Sequence, residues 1–202
     1  MIEQQLPVRV GQEAPDFKAV AVMADNSFNE SFKLSDYKGK YVVLFFYPLD
    51  FTFVCPTEII EFNRKLDKFK AKGVEVIGVS IDSQFSHWAW KNTPVELGGI
   101  GNIQYPLVAD INKTVSRDYG VLLEGGVALR GTFLIDGEGV LQHATVNNLG
   151  LGRNVDETLR MVDALQHLEQ YGEVCPAGWT EGEEAMKPTS TGVAEYLAKH
   201  GR

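Results

Sequence analysis

The sequence predicts an α/β protein, a mixed central β-sheet flanked by helices, followed by a C-terminal arm. Three observations carry this. Two short apolar runs, 41–47 and 74–81, read as buried strands. Segments with helical spacing of apolar residues alternate with the strand-like runs. Asp136-Gly137-Glu138-Gly139 has hairpin-turn chemistry between two further runs, so part of the sheet is antiparallel.

Residues 10–17 carry Gly11, Pro15 and Asp16 and make an opening turn; 17–23 form a short edge strand, and 25–31 are polar turn material. Residues 34–40 close one helical turn with Gly39 before the strand at 41–47. Beyond Cys55, Ile59, Phe62, Leu66 and Phe69 recur every three or four residues, so a helix over 58–70 buries one face, and Gly73 ends it. After the strand at 74–81, Ser83 caps a short helix running through Trp90. A loop over 93–104 contains Gly98-Gly99-Ile100-Gly101. A short strand follows at 105–109, then a helix at 113–119 that Gly120 stops. Gly125-Gly126 turns the chain into the strands at 130–135 and 140–146. Asn154 caps a long helix whose inner face carries Val155, Leu159, Val162, Leu165 and Leu168. From 172 to 190 the chain is poor in apolar residues and holds Cys175, Pro176, Gly178, Gly182 and Pro188; this is a surface arm, with a last helix over 192–199.

At 202 residues and 44% apolar, the chain suffices for one well-packed domain with a tail. A net charge of −8 disfavours nucleic acid as a partner. No apolar stretch approaches the length of a membrane span, so no membrane partner is expected. The first seven residues include Glu3 and Pro7 and no apolar core, so no signal peptide is expected and a cytoplasmic location is the default. Two cysteines, with no Cys-x-x-Cys, allow a transient catalytic disulfide. His87, His143, His167 and His200 lack ligand spacing, and the 98–101 loop lacks the lysine and hydroxyl residue of a phosphate loop; no metal or cofactor is expected. Phe85, Trp88 and Trp90 read as packing residues.

The chemistry centres on Pro48-Leu49-Asp50-Phe51-Thr52-Phe53-Val54-Cys55-Pro56, where a strand hands over to a helix. Unpaired N–H groups and the positive end of a helix dipole favour a thiolate there. Lowering a thiol pKa from about 8.5 to about 6 raises the thiolate fraction roughly thirty-fold, or about 2 kcal/mol. A fast enzyme needs more. For a peroxide target, donors aimed at the leaving oxygen matter more than ionisation. Thr52, three residues before Cys55, points a hydroxyl at the sulfur, while Pro48 and Pro56 exclude water. No lysine or arginine lies between 41 and 63, so a cation must come from elsewhere; Arg130, opening an apolar strand, is the best candidate. From the residues alone, Arg130 is equally well a surface ion-pair residue, Glu58 an acid complementing the helix dipole, and Cys55 an inert core thiol.

The stretch 48–56 resembles the Pro-x-x-x-Thr-x-x-Cys-Pro signature of the peroxiredoxins. The resemblance extends to Ala14-Pro15-Asp16-Phe17, Gly78-Val79-Ser80, Leu129-Arg130-Gly131-Thr132-Phe133 and Gly172-Glu173-Val174-Cys175-Pro176-Ala177-Gly178-Trp179. It is similar to the typical two-cysteine branch that holds alkyl hydroperoxide reductase C components and thioredoxin peroxidases. This implies a thioredoxin-like peroxidase domain over 1–170 and an arm over 171–202. It also implies reduction of hydrogen peroxide and organic hydroperoxides. Cys55 would be the peroxidatic cysteine, becoming a sulfenic acid, and Cys175 the resolving cysteine of a second subunit. Thr52, Pro48 and Arg130 would build the peroxide pocket; Glu58 would hold the arginines, Arg153 being the second. The implied partners are a hydroperoxide, a thioredoxin-like or flavoprotein disulfide reductase, and further copies forming a homodimer and then a decamer. A disulfide needs Cα atoms roughly 4.4–6.8 Å apart, so a helix end carrying Cys55 would have to unwind.

The chain departs from the pattern in the tail. The 98–101 loop resembles the glycine motif of oxidation-sensitive members, but the usual Tyr-Phe pair is Tyr196-Leu197 here, so intermediate sensitivity is expected. Two rival readings are a thiol–disulfide oxidoreductase, which wants the absent Cys-x-x-Cys, and an oligomeric holdase chaperone.

Overall fold

The computed structural model describes residues 8–201; the first seven residues, read above for a targeting signal, and residue 202 lie outside the described residues. The strands are β1 (Lys18–Val22), β2 (Phe28–Lys33), β3 (Tyr41–Phe46), β4 (Val74–Ser80), β5 (Leu107–Ala109), β6 (Arg130–Ile135) and β7 (Leu141–Asn147). They form one sheet in the order β2-β1-β5-β4-β3-β6-β7. β3, β4 and β5 run parallel; β6 lies antiparallel to β3, and β7 to β6. The helices are α1 (Cys55–Arg64), α2 (Leu66–Ala71), α3 (Gln84–Lys91), α4 (Thr114–Asp118), α5 (Val155–Tyr171) and α6 (Ser190–His200). The chain divides into two compact units, 1–155 and 156–202.

The middle strands are apolar throughout because both of their faces are covered. Along β3, Val42, Leu44 and Phe46 enter one core with Val79, Val108, Phe133 and Ile135. Phe45 points the other way and stacks on Phe62 of α1, ring centroids 4.3 Å apart. Gly78 in β4 permits this approach: a Cβ there would stand 2.7 Å from Leu107 and 3.0 Å from Phe45.

Several sequence expectations change. Residues 25–31, read as turn material, contain the start of β2, and β1 is therefore covered rather than at the edge. Only Phe32 of β2 is buried, so the strand has no apolar alternation to betray it. Backbone pairing from Lys18↔Lys33 to Val22↔Phe28 makes it, with Asn26 at φ 66° in the turn. The helix expected over 58–70 begins at Cys55 and breaks at Lys65 into α1 and α2. All four of its apolar positions are nevertheless buried. Val155, Leu159, Val162 and Leu165 of α5 are buried, but Leu168 is 43% exposed. Trp90 is fully buried, whereas Phe85 and Trp88 are exposed.

Candidate active site

The site forms where β3 ends and α1 begins, at the C-terminal edge of the parallel strands, where α/β sheets leave room for ligands. Tyr47 extends the pairing by one bond, its N–H donating to the Val79 carbonyl (3.0 Å). Pro48, buried and without an N–H, comes next. The following loop is fixed from beneath. The Asp50 N–H donates to Asp82 Oδ2 (2.9 Å), which also accepts from Ser80 Oγ (2.6 Å). The buried Asp50 carboxylate accepts from Tyr47 Oη (2.9 Å) and lies 2.8 Å from His87 Nδ1. Phe51 takes a left-handed conformation, φ 52°, which costs a non-glycine residue of order 1 kcal/mol. The anchored carboxylates hold the chain there.

Cys55 is the first residue of α1 and is fully buried; Pro56 follows in the first turn, where its missing N–H costs nothing. Thr52 Oγ1 stands 2.9 Å from Cys55 Sγ and 2.8 Å from the Leu49 carbonyl. One hydroxyl proton serves two partners. When it points at Leu49, the oxygen lone pair faces the sulfur or a substrate proton; when it turns, it donates to the sulfur. Arg130, the first residue of β6, places Nη1 3.4 Å from Cys55 Sγ.

Glu58, one turn further along α1, holds two arginines. Its Oε2 accepts from Arg130 Nη1 (2.6 Å) and Arg153 Nη2 (2.9 Å), and its Oε1 from Arg153 N and Nε (both 2.9 Å). Arg130 Nε also donates to the Leu149 carbonyl (2.8 Å). Arg153 Nη1 donates to the carbonyls of Phe46 (2.8 Å) and Gly131 (2.9 Å), and its guanidinium lies over the Phe45 ring at 5.0 Å. All three charged side chains are nearly excluded from water. One carboxylate and two guanidinium groups leave one formal positive charge unmatched, and it faces the sulfur. Such donors gain strength in a site closed to water, where they can stabilise negative charge that grows beside the sulfur.

The second cysteine lies in the unit 156–202. An isolated bridge between Val174 and Met186 closes a loop around it. Cys175 Sγ donates to the Ala164 carbonyl (3.5 Å), and its burial pushes the thiol pKa up, against the pull of Arg160.

Thr52 and Arg130 thus meet at the Cys55 sulfur, Glu58 and Arg153 stand behind Arg130, and Pro48 is buried at the head of the loop. Two supporting groups escaped the sequence reading. The Phe45–Phe62 platform under Arg153 looked like ordinary core. His87, passed over as scattered, lies with Trp90 and Lys91 on the buried face of α3, and that shared face was the available signal. Among the described residues no cluster suits a metal ion, and no helix is long and apolar enough to cross a membrane.

Comparison with known proteins adds an independent line. The profile of the AhpC/TSA family matches residues 10–144, and that of the C-terminal domain of 1-Cys peroxiredoxin matches 164–199. Alkyl hydroperoxide reductase C of Helicobacter pylori (strain J99) is 61% identical over 188 residues, covering 93% of this chain and 95% of that protein. Peroxiredoxin-2 of Macaca fascicularis is 58% identical over 193 residues, covering 95% and 96%. The crystal structure of reduced Plasmodium vivax 2-Cys peroxiredoxin matches with a TM-score of 0.93 at 55% identity, over 95% of this chain and 100% of that one.

Proposed function

The chain belongs to the AhpC/TSA family, the peroxiredoxins, and we propose that it reduces hydrogen peroxide and organic hydroperoxides with Cys55 as the attacking thiol. The observation that carries this is the buried Cys55 sulfur with Thr52 Oγ1 at 2.9 Å and Arg130 Nη1 at 3.4 Å. In the first step the Cys55 thiolate attacks one peroxide oxygen. The S–O bond forms, the O–O bond breaks, and the departing oxygen takes a proton to leave as water or alcohol. Arg130 and Thr52 donate to the oxygens as charge moves between them. Glu58 and Arg153 keep Arg130 in place.

Cys175, as thiolate, then attacks the sulfur of the Cys55 sulfenic acid. The S–S bond forms, the S–O bond breaks, and hydroxide leaves to become water. We assign the two sulfurs to different subunits of a homodimer that assembles further to a decamer, with residues 171–202 as the arm that delivers Cys175. Cys55 is fully buried at the first turn of α1, so this step requires that turn to unwind. A dithiol protein, thioredoxin-like or a flavoprotein disulfide reductase, completes the cycle. The cycle starts from two free thiols, and we place it in the cytoplasm, where a reducing environment regenerates them.

A non-reducing gel after stoichiometric peroxide tests the scheme. The wild type is expected to shift to a disulfide-linked dimer. Cys55→Ser is expected to show no shift and to lose peroxide consumption by more than about 10⁴-fold. Cys175→Ser should complete one turnover and then stop cycling with a dithiol protein. Peroxide turnover that survives Cys55→Ser overturns the assignment.

A further inference from the structure

On α5, Glu157, Arg160, Ala164, His167 and Tyr171 are spaced three and four residues apart, so they form one stripe along the helix. Each of them is engaged. Glu157 grips Arg160 with both carboxylate oxygens (Nε–Oε2 and Nη2–Oε1, each 2.7 Å). Arg160 Nη1 then donates to the Trp179 carbonyl (2.7 Å). The Ala164 carbonyl accepts from Cys175 Sγ, and the His167 ring lies between those of Tyr171 and Trp179 (4.8 and 4.9 Å), with Nε2 3.3 Å from Glu173. Trp179 itself is buried, and its Nε1 donates to the Glu183 carbonyl (3.0 Å). The segment 175–179 is therefore held at both ends along one helix face.

We infer that this stripe is a parking rail for the second thiol and that Arg160, oriented by Glu157, is the positioning residue that fixes how often Cys175 leaves it. The inference rests on the reading of Cys175 as the resolving cysteine. A carbonyl acceptor stabilises S–H and offers nothing to a thiolate, so the parked cysteine is the unreactive form. Delivery of Cys175 to the sulfenic acid requires release from the rail. A firmer rail lengthens the life of the sulfenic acid and gives a second peroxide more time to take it to sulfinic acid. The Glu157–Arg160 pair is partly exposed and adds little stability by itself; its worth is the aim it gives the Nη1 donor.

The test is rapid-quench alkylation and mass analysis of full-length protein after one addition of peroxide, following sulfenic acid, disulfide and sulfinic acid together. In Arg160→Met, disulfide formation is expected to be about tenfold faster, with correspondingly less sulfinic acid, while formation of the sulfenic acid keeps its wild-type rate. Arg160→Lys and Glu157→Gln should fall between, and they carry the test if Arg160→Met does not fold. The pH profile of disulfide formation separates release from other effects. The charged groups that act on the thiol are Arg160 on α5, which Glu157 holds, and Glu173 on its own segment, with His167 beside Glu173. Release moves the midpoint down toward an ordinary thiol, near 8.5. Loss of a nearby cation from a thiol that stays docked moves it up, and a purely structural role leaves it unmoved; either result overturns the rail. Cys175→Ser is run in parallel. If disulfide still forms in that variant, the reading of Cys175 fails; if it is abolished there but unchanged in Arg160→Met, only the rail fails.

Discussion

Cys55 faces two donors, one of them charged, whereas Cys175 faces a carbonyl. Around Cys55 a threonine hydroxyl and a guanidinium approach the sulfur, and one carboxylate locks two arginines behind it. Around Cys175 a carbonyl accepts the thiol proton, and the guanidinium of Arg160 is occupied by Glu157 and the Trp179 carbonyl. On the function proposed above, the first environment would prepare a sulfur to attack and to pass charge to oxygen, and the second would hold a sulfur as the thiol.

The largest test of this contrast is Arg130→Met, which removes the only side-chain cation bonded to the Cys55 sulfur among the described contacts. The second-order rate of the first oxidation should fall about 10²–10³-fold, as for loss of a preorganised donor, and Arg130→Lys should recover only part, since it cannot serve Glu58, Leu149 and the sulfur together. A melting curve run beside the kinetics should show lowered stability, because Glu58 loses one of two buried partners. An unchanged oxidation rate would erase the distinction between the two thiols.

Thr52→Val comes next. It keeps the shape and deletes the hydroxyl, and stopped-flow oxidation should slow about thirty-fold, with Thr52→Ser close to wild type. Equal rates for the valine and serine variants would mean that the hydroxyl's 2.9 Å approach to the sulfur has no part in the reaction.

The smallest effect concerns Cys175. Burial raises its pKa, so below that value its thiolate fraction climbs about tenfold for each pH unit. Disulfide formation after a single oxidation should therefore accelerate about tenfold per unit between pH 7 and 8. A rate independent of pH over that range would show that the second thiol is not stored protonated.

The local half of the design was legible in the chain. Strand, turn and helix around Cys55, the three-residue offset that aims Thr52 at it, and the hairpin at 136–139 all follow from periodicities of a few residues, which backbone geometry alone enforces. The composition also changes at 172, three residues before Cys175. What the sequence left open was whether Arg130 and Glu58 lay buried beside Cys55 or at the surface. Tertiary structure decided it. The β3–β6 register sets Phe45 beside Thr132, with Arg130 two residues further on, at the end of β3 where the loop departs. Glu58 then bridges to Arg130 and to Arg153, 72 and 95 positions away. The stripe on α5 has the same status: its spacing lies in the sequence, but only the folded loop brings Cys175 and Trp179 onto it. Contacts within a turn are fixed by the backbone's own period, and contacts across the chain depend on how its elements pair and pack, which no short window of residues records.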